Sequence, residues 1–359
     1  MAAIEKQIGE EIYSHIDRLT GEITALQTHH RTDISPKYDL NDAKYRAYGQ
    51  HDLQQLAEAL IANNPSQFAR YIVWQRSMLR GHHVPDFFVE LQLQTEQIAL
   101  MQLLPPNQHP VILRFLQSAR DALMEADIPY SSSPGVNNAI AKLATEYTNI
   151  LLTGERAAAY TLITDALSNQ VSIRDIYLNV FKPGLYEVGR MWQSGLITVA
   201  HEHFFTAATQ FMMSEMYPQI HKNVKKNGGT AVAACVAGEL HEVGLRMCAD
   251  LLELAGWRTW YLGANMPAMS IIEITREKKA QLLILSMCLP INGPELRELI
   301  ATVRNQLGDT VKIIIGGYSI SADPVYAASF GADAVAIDAG EITAIADRLL
   351  GEVKNHARR

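Results

Sequence analysis

Apolar residues recur at helical spacing through the first 128 positions. Ile4, Ile8, Ile12, Ile16 and Leu19 fall at intervals of four and three, which lays one apolar stripe along a helix. The stretches SQFARYIVWQRSMLRG and PDFFVELQLQTEQIALMQLLP repeat the pattern with Pro or Gly at their ends, as helix boundaries require. Residues 1–128 are therefore expected to form an all-α module. Pro129–Pro134 (PYSSSP) is short, polar and bracketed by proline, and reads as a linker. Residues 136–226 supply four more helical segments, near 136–152, 154–169, 172–191 and 196–220. Their short connections predict antiparallel neighbours in a four-helix bundle. From Gly229 the period changes. The apolar runs TAVAACVA, WRTWYLG, QLLILSM, VKIIIGG and DAVAID alternate with helical stretches through about residue 353. Strands apolar on both faces in five β–α repeats predict a doubly wound, Rossmann-like parallel sheet.

Composition agrees with a multidomain globular chain. The 359 residues exceed one typical domain, and a hydrophobic fraction of 48% with 19% charged residues is enough for real cores. A net charge of −7 argues against a nucleic-acid footprint, which needs a basic domain. The N-terminus is polar and periodic, unlike a signal peptide, and no apolar run reaches about 18 residues. A cytoplasmic protein with no membrane span is expected. Cys235, Cys248 and Cys288 are scattered among apolar neighbours and read as reduced core residues rather than a zinc site.

The chemistry gathers at the carboxyl ends of the predicted strands, where open α/β sheets bind ligands. The first β–α loop is Gly238-Glu239-Leu240-His241-Glu242-Val243-Gly244. Glu239 sits two residues before His241 and can accept the second N–H of the imidazole, which is how metal-bound histidines are oriented. Gly244 removes a side chain where a large flat group could approach. A helix-capping histidine in a turn is the alternative, and the heptapeptide alone does not decide between them. Forty-one positions (245–285) separate Gly244 from Ser286-Met287-Cys288 at the end of the third strand. A further 27 (289–315) lead to Gly316-Gly317 at the end of the fourth.

This array resembles the cobalamin-binding fold shared by methionine synthase, corrinoid methyl carriers and adenosylcobalamin mutases. The resemblance implies that His241 is the lower cobalt ligand, in place of the cofactor's own base. It also implies that Ser286, Gly316 and Gly317 line a channel for the displaced nucleotide tail. Glu239 stands where the family has aspartate, and Cys288 where it has a leucine-like residue.

In the bundle, Gly189-Arg190-Met191-Trp192 is followed after nine residues by Glu202-His203. This spacing resembles the cap of light-sensing adenosylcobalamin repressors of carotenoid synthesis, the CarH type, which also carry Glu in the lower-ligand motif. The resemblance implies that Trp192 and Glu202 pack against an upper adenosyl group. Light would break the cobalt–carbon bond, shift the bundle and make His203 the upper ligand. Trp192 as ordinary bundle core, and His201 as the ligand instead of His203, are the competing readings.

The expectation is thus a B12-dependent light sensor binding adenosylcobalamin and forming a dimer or tetramer that rearranges on illumination. A transcription regulator is an expected protein partner. Two alternatives use methylcobalamin or hydroxocobalamin: a corrinoid methyl carrier of a methyltransferase system, and an antirepressor. No winged-helix signature appears in residues 1–128, so direct DNA binding is not expected. Trp74 and His82-His83 invite a second cofactor, but Phe68, Ile72, Met78, Phe87 and Phe88 at helical spacing are explained as core.

Overall fold

A computed structural model describes residues 2–28, 42–125, 139–222 and 228–356. The expected linker Pro129–Pro134 lies outside these residues. The chain divides into two compact units, Met1–Tyr130 with Gln193–Leu196, and Ser131–Trp192 with Ile197–Arg359.

The described part of the first unit is helical: α1 (Ala2–Ser14), α2 (Ile16–Thr28), α3 (Asp42–Ile61), α4 (Pro65–Gly81), α5 (Phe87–Leu103) and α6 (His109–Glu125). The predicted stripe is its core. Ile8, Ile12 and Leu19 are fully buried and Ile4 and Ile16 pack against them, together with Phe68, Ile72 and Phe88. Phe87 departs from expectation, being 52% exposed. It is the first residue of α5, directly after its N-cap Asp86, where a side chain still faces outward.

The second unit opens with the bundle: α7 (Ala139–Leu152), α8 (Arg156–Ser168), α9 (Ile173–Ile176), α10 (Lys182–Gln193) and α11 (Val199–His221). The helix expected over 172–191 is interrupted by a π turn at Tyr177–Phe181. Pro183 follows at once; it has no N–H to donate and its ring crowds the carbonyl four residues earlier, so the wider turn relieves both. Tyr147, Tyr177, Phe181 and Phe205 fill the bundle core.

The sheet is parallel, in the order β2 (Arg258–Gly263), β1 (Thr230–Cys235), β3 (Leu282–Ser286), β4 (Lys312–Gly316), β5 (Ala334–Ala336). Every residue of β3 is buried, as is all of β1 after Thr230, which matches their unbroken apolar runs. The connecting helices are α12 (Val243–Leu254), α13 (Ala268–Glu277) and α14 (Gly293–Leu307). The helix expected near 322–330 is two short turns, α15 (Tyr318–Ser321) and α16 (Pro324–Ala328). Pro324 forces the break, because the residue before proline avoids the helical region. The final helix is α17 (Ile342–His356).

Strand order reverses at β1, which pairs with β2 on one side and β3 on the other. This is the switch point of the sheet, where a crevice opens at the strands' carboxyl ends.

Candidate functional site

Register places the predicted residues in one row. Cys235 pairs with Ser286, Ser286 with Gly316, and Gly316 with Ala336. Ser286 and Gly316 are therefore neighbours at the carboxyl edge, flanked by the loops that leave β1 and β3.

The β1 loop is held by Glu239, whose side chain is fully buried. Its Oε1 accepts the backbone N–H of His241 at 2.8 Å and lies 2.6 Å from His241 Nδ1. Its Oε2 accepts the backbone N–H groups of Cys288 at 2.6 Å and Leu289 at 3.1 Å, and the Asn292 amide at 3.4 Å. Burial alone would raise this carboxyl, but the hydrogen bonds from His241 and Cys288 outweigh it and hold the pKa at about 2. The hydrogen bond to Glu239 in turn raises the His241 pKa against the opposing effect of burial, and the Glu202 carboxylate adds to the rise. Glu202, on α11, thus stands within electrostatic reach of His241. The imidazole itself is 61% exposed. With Nδ1 turned to Glu239, Nε2 is the ring nitrogen presented outward.

Glu239, His241 and Cys288 bring ligand atoms within 4.8 Å of one another. Both Glu239 oxygens are already engaged, and burial pushes the Cys288 thiol up to about 12, so it stays protonated. The donor set suits one imidazole bond to a metal, not a three-residue cage.

The glycines separate into two kinds. Gly317 has φ +107°, and a Cβ there would lie 2.3 Å from the Met287 carbonyl oxygen. The fold itself demands it. A Cβ on Gly244 would meet nothing within 4 Å, so protein packing does not require that glycine and the space over it is open to a ligand. Gly316 lies between these, with a Cβ 3.2 Å from the Ala336 oxygen.

Two residues central to the geometry were not picked out from sequence. Asn265 adopts a positive φ of 50°. It accepts the Gly238 N–H at 2.8 Å and donates its own N–H to the Glu239 carbonyl. Asn292 reaches Glu239 from the β3 loop. The available signal was positional: each asparagine lies a few residues beyond a strand end, and at Asn265 the left-handed backbone is one that asparagine tolerates better than most residues.

The bundle is tied to this edge through α12. Gln210 donates to Glu242 at 2.8 Å, beside His241, and Tyr261 donates to the same carboxylate at 2.9 Å. Arg246 donates to the Gln210 carbonyl and to Ser214, and Tyr177 donates to Asp250 at 2.8 Å. Burial raises the Tyr186 phenol on α10, with Cys288 and Asp338 near enough to add to the rise. Trp192 is half-buried at the end of the same helix. His203 is 75% exposed, its Nδ1 2.5 Å from Glu202 Oε2. Thr206 donates to the other Glu202 oxygen. His201 is engaged locally, its Nδ1 accepting the Thr198 backbone N–H at the start of α11.

Comparison with known proteins fits this edge. Residues 229–346 match the B12 binding domain family. The chain carries a cobalamin-binding domain. A second B12 binding domain family matches residues 143–216, the bundle. Trimethylamine corrinoid protein 1 of Methanosarcina acetivorans is 26% identical over 176 residues, 47% of this chain and 79% of its own length. A corrinoid protein of Desulfitobacterium hafniense is 24% identical over 217 residues, 59% of this chain and all of its own. The monomethylamine corrinoid protein of Methanosarcina barkeri superposes with a TM-score of 0.52 at 23% identity, covering 58% of this chain and 98% of that one. It shares the fold of bundle and parallel sheet. The light-receptor cap is not what these comparisons bring forward. The relatives are corrinoid proteins, in line with the alternative reading of a methyl carrier. Among the described residues no helix is long and apolar enough to cross a membrane.

Proposed function

We propose that this protein binds a corrinoid with His241 as lower cobalt ligand and serves as the corrinoid component of a methyl-transfer system. The observation that carries the reading is the Glu239–His241 pair: a buried carboxylate fixes Nδ1 at 2.6 Å and leaves an exposed Nε2 at the sheet's switch point. The group, when bound, supplies a cobalt centre that accepts and gives up a methyl group. Glu239 holds the imidazole in the tautomer whose Nε2 carries the lone pair, and keeps the proton on Nδ1. Gly244, over which no protein atom lies within 4 Å of a Cβ, and the Ser286–Gly316 row would hold the corrinoid and its tail. The relatives named for methylamines support methylcobalamin as the working form and methyltransferases as partners.

The test is the visible spectrum of the protein reconstituted with methylcobalamin. A spectrum of the base displaced and imidazole bound, lost in His241→Ala, is expected. An unchanged spectrum in that variant would remove His241 from the cobalt.

A second reading, light sensing with adenosylcobalamin, is favoured by one observation: Glu202 reaches His241 electrostatically and holds His203 at its other side. His203, 75% exposed with its Nδ1 on Glu202, presents Nε2 outward and is the upper ligand in this reading. Green light should then convert the dark spectrum to a stable bis-imidazole form, lost in His203→Ala, with a change of oligomer size. No light product leaves the carrier reading standing alone.

A further inference from the structure

The residue that follows His241 is held from two sides. Glu242 is the N-cap of α12. Its carbonyl accepts the Arg246 N–H at 2.9 Å, and its own N–H donates to the Leu240 carbonyl at 2.9 Å, so the turn that carries His241 closes on it. N-cap carboxylates commonly fold back onto the free N–H groups of their own helix; this one does not. Oε2 instead accepts the Tyr261 hydroxyl from β2 at 2.9 Å, and Oε1 accepts the Gln210 amide from α11 at 2.8 Å. The end of β2 makes room for the carboxylate: Gly263 has φ +84°, and a Cβ there would stand 2.9 Å from Glu242 Oε2. The register of β2 against β1 also slips between Ala233 and Ala234, and such a bulge re-aims side chains beside a site.

On α11 the donor belongs to a polar row. Glu202, Thr206, Gln210 and Ser214 recur at every fourth position and so share one face of the helix. Arg246, one turn after Glu242, donates to the Gln210 carbonyl at 3.2 Å and to the Ser214 hydroxyl at 2.9 Å. Successive turns of α12 thus take Gln210 at both its amide and its carbonyl. Val243 and Met247, beside these contacts on α12, are buried in the bundle core. Apolar contact is non-directional, so it presses the two helices together without fixing where α11 stops along α12. The hydrogen bonds to Gln210 are directional and fix that position.

We propose, resting on the corrinoid reading of His241, that Glu242 is a positioning residue for the lower ligand and makes the imidazole–cobalt bond depend on the seating of α11. A ligating side chain works only when held within about 0.5 Å and 10–20° of its productive geometry. Glu239 holds the ring and, through Cys288, Leu289 and Asn292, the first half of the turn. Glu242 holds the second half. Without its carboxylate, the exit from His241 into α12 loses both side-chain anchors. Without Gln210, it loses the one that comes from the bundle. A carboxylate that merely stabilised the fold would lower the melting temperature and leave the cobalt ligand unchanged.

The experiment compares the full-length parent with Gln210→Ala, Glu242→Ala, Glu242→Gln and the double alanine variant. Methylcobalamin titration gives Kd, the visible spectrum at saturation gives the fraction of cofactor with imidazole bound, and hydrogen exchange of the corrinoid-free proteins follows the 239–246 amides. Kd should weaken about tenfold in each single alanine variant, and part of the saturated cofactor should lose the imidazole spectrum. The double variant should be no worse than Glu242→Ala, since Gln210 acts through that carboxylate. Glu242→Gln should restore parent-like binding, because its amide still meets Tyr261 and a turned Gln210. In Gln210→Ala the 239–246 amides should exchange faster, although the substitution lies on another helix. A parent-like Kd and full imidazole spectrum in Glu242→Ala would overturn the proposal, whatever happens to its melting temperature. Losses that add in the double variant, or unchanged exchange in Gln210→Ala, would overturn it too. His241→Ala separates the two failures: if that variant keeps the parent's spectrum, the corrinoid reading of His241 fails and this proposal falls with it, whereas parent-like behaviour confined to the Glu242 and Gln210 variants sinks this proposal alone.

Discussion

Replacing Glu239 by glutamine tests the site most directly, because it keeps the shape and changes only charge and donor pattern. Glu239 Oε1 serves two donors from His241 and Oε2 serves three from the β3 loop. A glutamine has one acceptor oxygen. If that oxygen stays with Cys288 and Leu289, its NH2 faces the His241 backbone N–H, donor against donor. The same NH2 would donate to Nδ1, driving the imidazole proton to Nε2, where it blocks a metal. The pKa of about 2 against an ordinary 4.5 corresponds to about 3 kcal/mol of stability carried by the ionised carboxylate. In a folded unit of this size that lowers Tm by roughly 6–12 °C. The contribution is complete above pH 4.5 and disappears as pH falls through 2, so parent and variant should converge in strong acid. Corrinoid affinity should fall about 10–100-fold, as for other residues that orient a metal-bound histidine. Calorimetric melting at pH 7 and at pH 3, with titration of methylcobalamin into each protein, measures both effects. Parent-like affinity and an imidazole-bound spectrum in Glu239→Gln would refute the tautomer argument outright.

The paired glycines should respond differently to alanine. Gly317→Ala forces a Cβ onto the Met287 backbone at positive φ and should cost about 3–5 kcal/mol, read as a lower urea midpoint. Gly316→Ala meets only the Ala336 oxygen at 3.2 Å and should cost under about 1.5 kcal/mol. If a nucleotide tail passes there, this mild variant still loses corrinoid affinity; full affinity would place the tail elsewhere. At the joint of bundle and sheet, burial raises Asp250 to about 6, against the Tyr177 hydrogen bond and the Arg246 charge. An acid whose folded pKa is raised stabilises the protein below pH 3.8 and loses that advantage as pH rises through 6. Asp250→Asn should therefore raise stability at pH 8 by up to about 3 kcal/mol, with little difference at pH 4. A destabilised variant at pH 8 would mean that the Arg246 pairing outweighs burial.

The sheet and its ligand edge were legible because both rest on short-range rules. The unbroken apolar runs of β1 and β3 mark strands buried on both faces, whereas β2, at the sheet edge, is partly exposed; the order of β–α repeats places every following loop at one edge. Glu239 and His241 share a loop, so their two-residue spacing is already a geometry. The restraints on that loop were not legible. Asn265 and Asn292 come from the loops after β2 and β3, and only the strand order, β2 beside β1 beside β3, brings them to Glu239. Apolar periodicity likewise marked Phe68, Ile72 and Phe88 as core, and they are. It passed over Gln27, Asp52, Gln92 and Glu96, all buried, since a polar residue at one helical position reads as solvent-facing until other helices close over it. The same blindness explains the weight given to Trp192 and Glu202-His203. Their spacing fits a cap over a corrin, yet spacing within a bundle does not say which group the corrin carries. The outward Nε2 of His241 fits either upper ligand, so the decision between methyl carriage and light sensing falls to α11. Glu202, on that helix, is the residue whose charge reaches His241, so Glu202→Gln is the substitution that tests whether α11 bears on the bound corrinoid.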